Sequence, residues 1–146
     1  SSDVCSSDLL DIDYFKQYND RYGHQAGDDC VRAIAALIRQ MESDQIFCAR
    51  YGGDEFVIIY NGMSAEEVCE RAEKLRQDVM ALHIERRYAE GSFGVTISQG
   101  ICHDIPSNGN KNWDFLHIAD QTLYRAKRGG KNCLCMTDIH GREIEV

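Results

Sequence analysis

The stretch Arg50-Tyr51-Gly52-Gly53-Asp54-Glu55-Phe56 decides how this chain is read. Apolar runs flank it, Ile46-Phe47-Cys48-Ala49 before and Phe56-Val57-Ile58-Ile59-Tyr60 after. Two β-prone runs around paired glycines predict an antiparallel hairpin over residues 46–60 with a Gly-Gly turn. Adjacent carboxylates at such a turn either stay solvated or hold a cation. Gly52 and Gly53 leave room for a bulky anion to approach the backbone. Together these residues suggest a site for a metal and a phosphorylated ligand. A solvated acidic hairpin tip is the competing reading, and this stretch by itself does not exclude it.

Working outward, residues 9–12 read as a short strand that ends at Asp11-Ile12-Asp13. Residues 15–22 read as a short helix. A longer one follows, with Cys30, Val31, Ile34, Leu37, Ile38 and Met41 at helical spacing. Ser64-Ala65-Glu66-Glu67 is a capping box opening a third helix with a Val68, Ala72, Leu75, Val79 and Leu82 stripe. Residues 93–101 alternate as a strand, and 103–112 are polar, hold the only proline and predict a loop. Residues 114–128 form a last helix, with Phe115, Ile118, Ala119, Thr122, Leu123 and Ala126 inward, and 132–136 a last strand. Helices alternating with strands, two of them joined by a tight hairpin, exclude a purely parallel sheet and predict an α+β sandwich.

A chain of 146 residues suits one domain with a single core. Its 43% hydrophobic and 27% charged residues are those of a globular protein. A net charge of -8 argues against nucleic acid and anionic membrane as partners. It also means that any phosphate site needs local lysines and a divalent cation. The seven cysteines are odd in number and include no Cys-x-x-Cys pair. They predict reduced thiols inside a cytoplasmic protein, and Cys133-Leu134-Cys135 lacks an adjacent His to complete a metal site. No apolar run is long enough to span a bilayer, and no secretory signal is visible.

Four motifs in order resemble the GGDEF family of diguanylate cyclases. Asp11-Ile12-Asp13-Tyr14-Phe15-Lys16-Gln17-Tyr18-Asn19-Asp20 is similar to the family's D-x-D-x-F-K-x-x-N-D. Gly23-His24-Gln25-Ala26-Gly27-Asp28 matches G-H-x-x-G-D, and the hairpin matches R-Y-G-G-[DE]-E-F. Ala126-Lys127-Arg128-Gly129-Gly130-Lys131-Asn132 matches A-K-x-x-G-[RK]-N. Any one of these is weak, whereas four in order are specific. The resemblance runs from about Leu9 to Met136.

The resemblance implies a ferredoxin-like nucleotidyl-cyclase fold, with a central mixed sheet flanked by helices. It implies condensation of two GTP into cyclic di-GMP across a homodimer, in the output domain of a larger signalling protein. Asp11, Asp54 and the Ile12 carbonyl would hold Mg²⁺ or Mn²⁺, which prefer hard oxygen ligands. Asp54 and Glu55 are the catalytic candidates, and Asp13 is as readily structural as catalytic. Asn19 and Asp28 would read guanine. A carboxylate accepts from N1–H and the 2-amino group, which adenine cannot offer. Helix capping is the alternative for both. Phe15 and Lys16 would meet phosphate at a helix start, with Lys127 and Lys131 as further phosphate ligands. Lys131 stands where the family often has Arg, keeping the charge but losing the bidentate fork. Gly52 and Gly53 would make room for the nucleotide.

Three features depart from the family pattern or qualify it. Residues 1–8 repeat Ser-Ser-Asp and have no apolar periodicity, where the family carries half an apolar strand. They read as a foreign scar or a flexible linker, leaving residues 9–136 as the domain, without its first helix, and 137–146 as a polar tail. The family's Arg-x-x-Asp inhibitory site is absent, since Ser43 and Ile46 occupy its positions. Such a fragment is expected to be weakly active alone, with its upstream sensor or dimerisation domain missing. The competing function is a GTP-binding regulatory module without turnover, although Asp54 and Glu55, altered in such modules, are both present.

Overall fold

The computed structural model describes residues 3–84, 94–106 and 112–146. Five strands form one sheet: β1 (Cys5–Ile12), β2 (Ile46–Arg50), β3 (Glu55–Asn61), β4 (Ile97–Asp104) and β5 (Leu134–Thr137). The helices are α1 (Phe15–Tyr22), α2 (His24–Arg39), α3 (Ala65–Ala81) and α4 (Asn112–Arg128). The strand order is β2-β3-β1-β4-β5. β1 is central and antiparallel to both β3 and β4, while β4 and β5 run parallel. This is the mixed sheet expected from the sequence.

Alternation along the strands creates two apolar layers. Leu10, Ile12, Ile58 and Ile101 face α1, α2 and α3, where Ile34, Ile38, Val68 and Val79 meet them. Leu9, Val57 and Cys102 face the other way, onto Phe115, Ala119 and Leu123 of α4. Each such side chain contributes roughly 1.5–3 kcal/mol by leaving water. α4 lies so close to β4 that a Cβ on Gly100 would fall 2.0 Å from the Leu123 amide nitrogen. The capping box forms as expected: Ser64 Oγ accepts from the Glu67 amide, and Glu67 Oε1 accepts from the Ser64 amide. The helix stripes are buried as expected, with Leu37, Met41, Leu82 and Ile118 only half-buried.

The structure corrects four boundaries. β1 begins at Cys5 rather than Leu9, so residues 5–8 are neither linker nor disordered. Ser6, Ser7 and Asp8 are buried because both edges of the central strand are paired, whatever their polarity. The hairpin connection is four residues, Tyr51 to Asp54, closed by the Tyr51 amide on the Glu55 carbonyl at 2.8 Å. Gly52 and Gly53 lie outside the left-handed region, so the backbone does not demand glycine there. His103 and Asp104 continue β4 instead of opening a loop. The predicted strand start at 93 and the loop over 107–111 lie outside the described residues. The tail is ordered, with the Ile144 amide on the Met136 carbonyl and Thr137 bridged to Glu143. All seven cysteines are free thiols. Among the described residues, no helix is long and apolar enough to cross a membrane.

Candidate functional site

The C-terminal end of β1 brings the acids together. Asp11 sits opposite Glu55 on β3 and Ser98 on β4. One residue on, the Ile12 amide donates to the Asp54 carbonyl at 3.1 Å. The hairpin acids therefore flank the strand end. Asp11 is only 6% exposed. Its Oδ2 pairs with Lys127 Nζ from the last turn of α4, while its Oδ1 has no partner among the described residues. Burial pushes the Asp11 carboxyl up to about 6, which outweighs the pull of Lys127, and Asp54 and Asp13 add to the rise. Glu55 is raised by burial and by Asp54.

A buried carboxylate with a free oxygen, a second acid and backbone carbonyls make a hard-oxygen donor set. That chemistry fits Mg²⁺ or Mn²⁺ at Asp11, Asp54 and the Ile12 carbonyl. Among the described residues, no three His, Cys, Asp or Glu side chains gather into a cage. A cation here would take its other ligands from phosphate and water, the usual habit of Mg²⁺.

A family model described as "Diguanylate cyclase, GGDEF domain" matches residues 7–133. The chain belongs to the GGDEF domain family. A diguanylate cyclase of Vibrio cholerae is 35% identical over 133 residues, covering 87% of this chain and 38% of its own length. Diguanylate cyclase A of Treponema denticola is 35% identical over 125 residues, covering 85% and 33%. The chain thus spans about a third of the curated relatives it matches. Among solved structures, the GGDEF domain of DgcB from Caulobacter crescentus, in complex with c-di-GMP, superposes with a TM-score of 0.80. It is 34% identical and covers 94% of this chain and 78% of that one. A coiled coil and GGDEF domain of the same protein gives 0.81 at 33% identity, covering 92% and 70%.

The other GGDEF residues lie on α1, α2 and the turn after α4. Phe15 and Lys16 open α1, whose N-cap Tyr14 makes no side-chain cap. Lys16 is exposed, and Phe15 stacks on Tyr18. Asn19, near the end of α1, faces Gly27 of α2, and a Cβ on Gly27 would lie 1.7 Å from Asn19 Oδ1. That Oδ1 is buried without a partner, a free acceptor beside the exposed Asp28. Lys131 Nζ lies 4.5 Å from the centre of the Tyr14 ring. Open space remains above Gly53, and Gly52 would meet only Glu55. Lys127, assigned to phosphate by the resemblance, is placed on Asp11 instead.

Asp13 differs sharply from Asp11 two residues earlier. It accepts from Thr96 Oγ1 at 2.7 Å, Ser98 Oγ at 2.6 Å and the Asn132 amide at 3.0 Å. That saturation favours the structural role. The sequence reading also missed Arg50, which donates to the Gly52 and Gly53 carbonyls and so shapes the hairpin tip. Its position beside the glycines was the available signal.

Proposed function

We propose that this domain condenses two GTP into cyclic di-GMP, each chain of a homodimer holding one nucleotide. The 3′ oxygen of each GTP bonds to the α-phosphorus of the other. Both Pα–O–Pβ bonds break, two pyrophosphates leave, and each 3′ proton passes to a base. The observation that carries this reading is Asp11, buried with a free oxygen beside Asp54 and Glu55 and paired with Lys127.

Asp11, Asp54 and the Ile12 carbonyl would hold Mg²⁺ or Mn²⁺. Such a cation polarises phosphoryl oxygens and lowers the pKa of a bound hydroxyl. Glu55, whose carboxyl is raised by burial and by Asp54, is the candidate proton acceptor. Lys16, Lys127 and Lys131 supply positive charge for the triphosphate in a chain of net charge -8. Asn19 and Asp28 select guanine. With one such site per chain, two chains would face each other to join two nucleotides. An upstream sensor or dimerisation segment in a cytoplasmic signalling protein would bring them together, as the coiled coil in the DgcB structure suggests.

The test is cyclic di-GMP production from GTP and Mg²⁺, with the chain fused to a dimerising coiled coil and Asp54→Ala as control. Product that disappears in the control supports the cyclase. Intact GTP binding without product in the parent chain would instead favour a regulatory binder.

A further inference from the structure

The turn between α4 and β5 carries Lys131 and has an unusual backbone. Lys131 and Asn132 have φ of 64° and 49°, consecutive left-handed residues that are not glycine. Such a conformation is strained and persists only where surrounding structure holds it. The hold here comes from Asp13, just past the end of β1. Asp13 is 2% exposed, and its Oδ2 accepts the Asn132 amide and Thr96 Oγ1, while its Oδ1 accepts Ser98 Oγ. Ser98 Oγ also lies 3.2 Å from the same Asn132 amide. The Asp13 backbone amide donates to the Thr96 carbonyl at 2.9 Å, so Asp13 is itself fixed. Next to this lock, the Lys131 ammonium rests on the ring of Tyr14.

We propose that Asp13 is a positioning residue: by holding the Asn132 amide it sets the α4–β5 turn, and with it the direction in which Lys131 meets the triphosphate. This rests on the proposed reading of the site as a GTP pocket. Asp13 is therefore not a third acid on the cation. Three donors already occupy its oxygens, whereas Asp11 keeps one free. A hydroxyl can turn to donate or accept, but a backbone amide can only donate. An Asn at position 13 could thus keep its carbonyl on the Asn132 amide and turn its NH₂ to Ser98. An Ala could not. A metal ligand would behave differently, because the neutral amide loses the charge that holds the cation.

The experiment uses the full chain with Mg²⁺ and two probes, GMP and the α,β-methylene analogue of GTP, whose Pα–C–Pβ linkage blocks the reaction. Calorimetry gives the ratio of their affinities, which reads phosphate capture apart from guanine recognition. Asp13→Ala is expected to cut that ratio about tenfold, the scale of one lost charge-assisted hydrogen bond acting through Lys131. Asp13→Asn is expected to stay within about threefold of the parent, on the scale of a neutral hydrogen bond. The Mg²⁺ concentration at half-saturation should not move in either variant. Should Asp13→Ala fail to fold, Thr96→Val carries the test, being close in shape and removing one donor to Asp13. A threefold or larger fall in the ratio supports the lock, and an unchanged ratio overturns it. Equal losses in Asp13→Asn and Asp13→Ala, with a raised Mg²⁺ requirement, would overturn it in favour of a metal ligand. If the parent chain itself showed no preference for the triphosphate, the GTP-pocket reading would fail, independently of the lock.

Discussion

Replacing Asp8 by valine should stabilise this protein strongly. Asp8 lies between Ile58 and Ile101 on the face of β1 that meets α2 and α3. It has no exposure, and neither carboxyl oxygen has a hydrogen-bond partner among the described residues. Tyr60, whose hydroxyl is also unpartnered, and the thiols of Cys48 and Cys69 are close enough to feel its charge. Desolvation therefore holds the carboxyl well above its ordinary value of 3.8. The folded state keeps a proton that the unfolded chain releases. Stability is then fully present below about pH 4 and falls as pH rises toward the folded value, by a factor of ten in the folding constant per pH unit. An unpaired buried carboxyl costs about 1–3 kcal/mol even when neutral, and several more when its charge must be carried. Asp8→Val should thus add roughly 2–5 kcal/mol at pH 7, or about 5–15 °C in Tm for a domain of this size. Asp8→Asn keeps the unsatisfied polar group but cannot ionise, so it should flatten the pH dependence with a smaller gain.

Urea unfolding between pH 6.5 and 8 isolates the effect. Asp11, raised to about 6, has already made its contribution by then. His103 is depressed by burial, so its stabilising share is already complete above its unfolded value of 6.5. The cysteine thiols begin to matter only near their ordinary value of 9.0. A Val variant no more stable than the parent, or one with the parent's slope across this window, would refute the reasoning.

Two further outcomes follow from the site. Gly27→Ala should fold, since the clash is with the movable end of the Asn19 side chain, but it should displace Asn19 Oδ1. Preference for GTP over ATP in competition binding is expected to fall about tenfold, the worth of one buried hydrogen bond lost. Cyclic di-GMP should not inhibit through the family's product site, because Ser43 and the buried Ile46 offer no guanidinium or carboxylate there. Initial rates with added product check this, and sub-micromolar inhibition would contradict it.

The hairpin, the capping box and the helix stripes were legible because local pattern and final burial agree there. The start of β1 was not. Ser6, Ser7 and Asp8 look like linker residues, and only pairing on both edges of the central strand makes them strand. The different surroundings of Asp11 and Asp13 were less legible. Both stand at one strand end, and what separates them is Thr96, Ser98 and Asn132, distant in sequence. Arg50 was adjacent to the motif, yet its donation to two glycine carbonyls depends on how the four-residue connection folds.

Lys127 shows most clearly why motif and geometry give different information. The resemblance assigns Asp11 to the cation and Lys127 to the phosphates, whereas the structure pairs them with each other. A carboxylate buried to 6% exposure needs a countercharge, and the Lys127 ammonium provides it. Such a buried pair offers little net stability, because desolving both charges offsets most of their attraction. It is therefore cheap to exchange. On the proposed reading, a divalent cation and the lysine would compete for the same carboxylate, and a triphosphate would give the displaced ammonium a new partner. The two assignments are then compatible: a cation on Asp11 would release Lys127 to phosphate.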